Sequence, residues 1–219
     1  MKTIGVLGGT GHEGKGLAMR WAKAGYKVVI GSRDAERAKA TAQAIREMIP
    51  GSSVEGYGNR DAAAACEIAV LTVPYAAHKP TLEDVKPALQ GKILVDVTVP
   101  LVPPKVARVQ LPPEDSAAVA AQNLLGPDVK VVSAFQNLSS HLLEHVDTPI
   151  DCDVLVCGDD TAACNLTIGL IRDIGMRGLY AGTIRNSAAV EALTSVLIAI
   201  NRRHKVTGSG IRITGLPEA

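Results

Sequence analysis

Aromatic side chains are scarce in this chain. One Phe, one Trp and four Tyr make up 3% of 219 residues. That excludes the stacked aromatic platforms with which proteins hold single-stranded nucleic acid. Charge of one sign is lacking too: the formal net charge is +1, so no polybasic face points to nucleic acid or an anionic membrane. The four cysteines, Cys66, Cys152, Cys157 and Cys164, include no C-x-x-C pair. They read as buried, reduced thiols of a cytoplasmic protein, not as a disulfide frame or a zinc knuckle. No apolar run reaches membrane-spanning length, and no signal peptide is expected ahead of a first strand that begins at residue 3. There is no internal repeat and no low-complexity segment. With 47% apolar and 21% charged residues, the chain fits one sizeable α/β domain with an appendage.

The N-terminal stretch organises the rest. Ile4-Gly5-Val6-Leu7 reads as a strand, Gly8-Gly9-Thr10-Gly11-His12-Glu13-Gly14 as a turn, then a helix to about Ala24 and a second strand, Lys27-Val28-Val29-Ile30. Gly9, Gly11 and Gly14 fit G-x-G-x-x-G between strand and helix, the setting that a dinucleotide fingerprint requires. The pyrophosphate then rests on the helix N-terminus, whose amides lack internal partners. NAD sites place a carboxylate after the second strand to hold the ribose 2′-hydroxyl. Here that place carries Gly31-Ser32-Arg33, with Arg37 one turn on. A hydroxyl and two guanidiniums suit a 2′-phosphate, so NADP(H) is expected over NAD(H).

Further along, helix and strand patterns alternate: a helix over 35–48, strands at 53–57 and 68–73, a helix to Leu89, and a strand over 93–96. Pro100, Pro103, Pro104, Pro112 and Pro113 make the following segment an ordered loop, before a helix over 114–125. A strand over 129–133 runs into Ala134-Phe135-Gln136-Asn137-Leu138. Two more strands, near 154–158 and 178–181, flank a helix over 161–174. The final helix, about 186–203, looks apolar on nearly every side and is expected to be buried between domains or at a dimer interface. The fold class is therefore α/β: a Rossmann-type, doubly wound, mainly parallel sheet over 1–180, with 137–149 contributing to the cofactor cleft. Residues 181–219 form a small C-terminal helical subdomain.

Candidates for side-chain chemistry are few. His78 reads as a surface residue. His141-Leu142-Leu143-Glu144-His145 matches H-x-x-E-H, but no third zinc ligand stands out. Ser139-Ser140 lack the G-x-S-x-G elbow of a hydrolase. Asp96 ends a strand at the ligand edge and can serve a site or cap a turn. Asp159-Asp160 stand where a helix begins, an N-cap position. No nucleophile, general acid–base pair or metal site is expected, as suits hydride transfer between two bound rings.

Gly8-Gly9-Thr10-Gly11 with Gly31-Ser32-Arg33, Ala69-Val70-Leu71-Thr72-Val73-Pro74, Val131-Val132-Ser133-Ala134-Phe135 and Val154-Leu155-Val156-Cys157-Gly158-Asp159-Asp160 together resemble the NADPH-dependent coenzyme F420 reductases, or F420H2:NADP oxidoreductases. The resemblance spans essentially the whole chain, through Asn186-Ser187 and Gly210-Ile211. It implies NADP(H) over the glycine turn, the deazaflavin coenzyme F420 in a cleft beside the nicotinamide, and a homodimer. By motif match, Thr10, Gly11, His12, Glu13, Ser32, Arg33 and Arg37 take the nucleotide, with Val73 and Pro74 flanking it. Ala134 ends a strand at the ligand edge. Gln136 and Leu138 fall at the junction of the two rings, and Gly210 and Ile211 in a tail near it. Archaeal members carry His where this chain has Gln136, which can donate a hydrogen bond but not a charge. Two alternatives stay open: an NADPH-dependent reductase of FMN or FAD, and a non-catalytic NADPH-sensing module.

Overall fold

Short apolar strands alternate with amphipathic helices, a pattern that builds a mainly parallel sheet with helices on both faces. The computed structural model describes residues 2–216. In chain order it contains β1 (Thr3–Leu7), α1 (His12–Lys23), β2 (Lys27–Ser32), α2 (Ala35–Met48), β3 (Val54–Gly58), α3 (Asn59–Ala65), β4 (Ile68–Leu71), α4 (Tyr75–Leu89), β5 (Ile93–Asp96), α5 (Ala117–Leu125), β6 (Lys130–Ser133), α6 (Ser140–Leu143), β7 (Asp153–Gly158), α7 (Thr161–Arg172), β8 (Arg177–Tyr180), a 3-10 turn (Ile184–Asn186) and α8 (Ser187–His204). The strands form one sheet in the order β3-β2-β1-β4-β5-β6-β7-β8. Strands β1 to β6 are parallel, β7 runs antiparallel to β6, and β8 runs parallel to β7.

The helices cover both faces. On one, Leu17 and Trp21 of α1, Ala42 and Ile45 of α2 and Leu170 and Ile171 of α7 pack with Ile4, Val6 and Ile30. On the other, Leu82, Val85 and Leu89 of α4 and Ala118, Ala121 and Leu125 of α5 pack with Leu7, Leu71 and Leu94. This is the doubly wound arrangement that the sequence implies, and it puts the carboxyl ends of β1, β2, β4, β5 and β6 along one edge.

Three expectations need revision. Strand β4 stops at Leu71: the Thr72 amide makes the last bond to β1, at the Leu7 carbonyl (2.9 Å), and its hydroxyl turns back to the same oxygen (3.0 Å). Helix α5 begins at Ala117, later than expected, because Ser116 caps it by accepting from the Val119 amide at 3.1 Å. Helix α8 is not buried all round. Its inward face carries Ser187, Val190, Glu191, Ser195 and Leu197, while Val196 and Ile200 are 46% and 41% exposed. The inward face is partly polar because Glu191 and Ser187 find buried partners, and the apolar stripe is left outward. Among the described residues, no helix is long and apolar enough to cross a membrane. All four cysteines are buried and unbridged, and burial pushes the Cys157 and Cys164 thiols up to about 11.

Candidate cofactor site

The glycine turn is built by close approach. Gly8 takes the left-handed conformation (φ +77°), a shape that glycine adopts without a Cβ penalty. A Cβ on Gly14 would lie 2.8 Å from the Gly9 Cα and collide with the Thr72 hydroxyl, so only glycine lets α1 meet the turn. Gly9 is buried against Val6 and Ile30 and faces the core, so its part is structural. Gly11 caps α1 without a side-chain hydrogen bond, and the first helical bond is Lys15 N to Gly11 O, at 2.8 Å. Among the described residues the amides of His12, Glu13 and Gly14 have no partner and are free for an anion. Asn59 holds the turn from the side, its Oδ1 accepting from Gly8 N at 3.1 Å.

At the end of β2, Ser32 is buried and Arg33 and Arg37 are exposed. Among the described residues neither guanidinium has an acidic partner. Asp34, next to Arg33 in sequence, is engaged as the cap of α2, accepting from Glu36 N (3.0 Å) and Arg37 N (3.3 Å). Thr10, Gly11, His12 and Glu13 from the turn, Ser32, Arg33 and Arg37 from β2–α2, Val73 and Pro74 after β4, and Gln136 and Leu138 after β6 line one cavity of about 530 Å³. Burial pushes the Glu13 carboxyl up to about 8.

A second cavity, of about 330 Å³, shares Gln136, Leu138, Ser140 and Thr194 with the first. Its far side is Leu197, Ile198 and Asn201 of α8 with Val206, Thr207 and Ser209 of the tail. Two expected contacts are absent from both cavities. Gly210 lies against Cys152, where an added Cβ would come within 2.7 Å of Sγ. Ile211 O accepts from Asp153 N at 2.8 Å, so this part of the tail runs beside β7 and meets the cleft a few residues earlier. Ala134 is also out of reach, wholly buried in the core, because the chain turns sharply at Phe135 (φ +76°).

Behind the cleft lies a buried polar cluster. His78, expected at the surface, is only 3% exposed and bonds Asp96 through Nε2 at 2.6 Å. Burial pulls the ring's pKa down, but the Asp96 charge and hydrogen bond outweigh it and the net shift is upward. Asp96 also accepts from Thr98 N (3.0 Å), and its carbonyl accepts from Gln136 Nε2 (2.7 Å). Glu191 of α8 sits on the N-terminus of α5, accepting from Ala117 N (2.7 Å) and Ala118 N (3.0 Å), and burial pushes its carboxyl up to about 8.

The zinc-like H-x-x-E-H stretch is used otherwise. Glu144 meets His12 Nδ1 at 2.6 Å, tying the glycine turn to the segment after α6. Arg20, 6% exposed within α1, secures that segment: Nε donates to Leu143 O (3.1 Å) and Nη2 to the carbonyls of Leu142, His145 and Thr148 (3.0, 2.8 and 3.1 Å). Asp160 caps α7 through Ala163 N (2.8 Å).

Residues 3–100 match the family described as NADP oxidoreductase, coenzyme F420-dependent. The chain is 42% identical to the F420-dependent NADP reductase of Methanocaldococcus jannaschii, over 97% of this chain and 98% of that protein. The chain belongs to the F420-dependent NADP reductase family. The Methanothermobacter marburgensis F420-dependent NADP reductase is 41% identical over 98% of this chain and 99% of its own length. A provisionally named F420-dependent NADP-reductase structure from Arthrobacter sp. FB24 superposes with a TM-score of 0.82 at 28% identity, covering 98% and 99% of the two chains. The fold of an F420-dependent NADP reductase also brings in residues that the sequence did not single out. Asn59, Thr72, Thr98 and Thr194 line the first cavity. Thr98, two residues beyond a strand end at the ligand edge, carried the one readable signal.

Proposed function

We infer that this chain is an oxidoreductase that moves a hydride between NADP(H) and the deazaflavin coenzyme F420. The observation that carries the reading is the pair of cavities joined at Gln136, Leu138, Ser140 and Thr194. One has the glycine turn and two arginines with no acidic partner among the described residues, and the other is walled by α8 and the tail. When bound, the two coenzymes supply the hydride chemistry themselves. The protein's part is alignment, which alone accounts for large rate factors. The free amides of α1 hold the pyrophosphate. Ser32, Arg33 and Arg37 take the 2′-phosphate, Val73 and Pro74 flank the nucleotide, and Gln136 and Leu138 stand where the rings meet.

We read residues 1–180 as the nucleotide-binding domain and 181–219 as the smaller unit that closes the second cavity. We also read the protein as a cytoplasmic homodimer. The open stripe Ala189, Val196 and Ile200 on α8, at helical spacing, supports a second copy there. Sedimentation at micromolar concentration checks it, and a monomer would reject it.

Oxidation of NADPH should be followed against F420, FMN and FAD. Deuterium from 4-deuterated NADPH should appear at carbon 5 of reduced F420. Activity with FMN or FAD alone would favour a flavin reductase, and tight NADPH binding without turnover would favour a sensor.

A further inference from the structure

Gln136 and Thr98 are each 3% exposed and line the first cavity. Among the described residues, Gln136 Oε1 and Thr98 Oγ1 are buried without any hydrogen-bond partner. Buried polar atoms are normally satisfied, so two orphans at one cavity wall call for a ligand. The direction of the Gln136 amide is fixed by chemistry. Its other end faces the Asp96 carbonyl at 2.7 Å, and only the NH2 end can bond a carbonyl. Gln136 therefore keeps Oε1 as an unpartnered acceptor at the cavity wall, while one of its two N–H donors is engaged by Asp96. Thr98 is held from the same residue through its own amide to Asp96 Oδ1, so its hydroxyl is left to donate or accept.

We propose that Gln136 Oε1 and Thr98 Oγ1 form the receptor for the primary carboxamide of the nicotinamide ring, with Asp96 as the positioning residue for both. Gln136 accepts the amide N–H, and the Thr98 hydroxyl donates to the amide carbonyl. Thr98 lines the dinucleotide cavity and not the second one, which assigns the pair to the nicotinamide and not to the deazaflavin. This rests on the reading of the first cavity as an NADP(H) site.

The test is equilibrium binding of NADPH and its 3-acetylpyridine analogue, in which a methyl replaces the NH2 and the carbonyl stays. It needs no second coenzyme. Wild-type protein should bind the analogue roughly 10- to 100-fold more weakly, the effect of leaving one buried acceptor unpaired. Gln136→Leu should bring the two affinities within about threefold of each other. Thr98→Val keeps the shape and the amide bond to Asp96, and it should weaken both dinucleotides by roughly 5- to 20-fold. Equal wild-type affinities, or discrimination that survives Gln136→Leu, would overturn the assignment, and unchanged binding in Thr98→Val would remove Thr98 from it. Failure to bind NADPH at all would instead overturn the NADP(H) reading.

Discussion

Replacing Arg20 with Met tests whether one buried guanidinium holds the roof of the cofactor cleft. Met keeps the length and apolar packing and removes every donor. Nη2 has two hydrogens for three carbonyls, so one of its contacts is shared, and the arginine makes about three effective bonds with Nε counted. Leu143 O is buried and would be stranded, a loss of about 1–3 kcal/mol. The other three carbonyls are partly buried and can reach water, so together they add about 1–2 kcal/mol. The sum, about 2–5 kcal/mol, is a large share of the roughly 5–15 kcal/mol that a domain of this kind possesses. Release of the 139–149 segment alone would relieve part of it. The expected result is a lower urea midpoint with an unchanged m-value, together with faster amide exchange across 139–149. Arg20→Lys should fall between, because an ammonium lacks the planar fork. A loss below about 1 kcal/mol with unchanged exchange would refute the reasoning, since it would mean that water serves these carbonyls equally well.

Other outcomes follow from the same geometry. Arg33→Ala should weaken NADPH roughly 10- to 150-fold by loss of one charge-assisted contact and barely change NADH, and equal losses in a titration with both would reject the 2′-phosphate assignment. Ile198→Trp should fill the second cavity, raising the KM for F420 in steady-state assays while leaving the NADPH dissociation constant within about threefold. Gly210→Leu should act on stability instead, because its side chain would meet Cys152; a Tm equal to wild type would contradict that placement. Glu191 has a folded pKa raised to about 8 from 4.5. Its stabilising effect is therefore complete below pH 4.5 and is lost as pH rises through about 8. The upward shift of His78 has the same sign: its contribution is full below 6.5 and lost above its folded pKa. Urea midpoints should fall between pH 6 and pH 9, and Glu191→Gln should flatten that slope; a slope unchanged in the variant would exclude Glu191 as its source.

The nucleotide half was legible because its signals are local. Strand, glycine turn, helix and strand lie within 35 residues, and Ser32, Arg33 and Arg37 declare their charge without help from the fold. The second half was harder because its contacts cross the chain. His78 looked solvated from its place after Pro74, and nothing local shows that Asp96 lies within 2.6 Å of it. Arg20 reads as an ordinary polar position of an amphipathic helix, yet its partners lie more than 120 residues on. Helix α8 was misread for the same reason: the amides that welcome Glu191 belong to another helix, so a carboxylate turns inward and an apolar stripe outward. The glycine-rich tail lines the second cavity through Val206, Thr207 and Ser209, but not at the expected Gly210, whose missing side chain permits packing on Cys152.

Helix α1 touches several parts of this arrangement. Its first turn offers the amides for the pyrophosphate, Arg20 grips the 139–149 segment, and Trp21 meets Phe135 edge to face at 5.9 Å. Phe135 is the single phenylalanine of the chain, and it sits in a left-handed conformation that aims Gln136 at the cleft. Glycine would take that conformation without strain, so the ring is there for its grip on Trp21. The helix thus works as a common datum from which both cofactor seats are measured. Single substitutions on it can be absorbed by repacking, but a one-residue insertion between Gly14 and Arg20 cannot. It would swing the distal half by about 100° and 1.5 Å relative to the glycine turn, and the two seats would lose alignment while each kept its own lining residues.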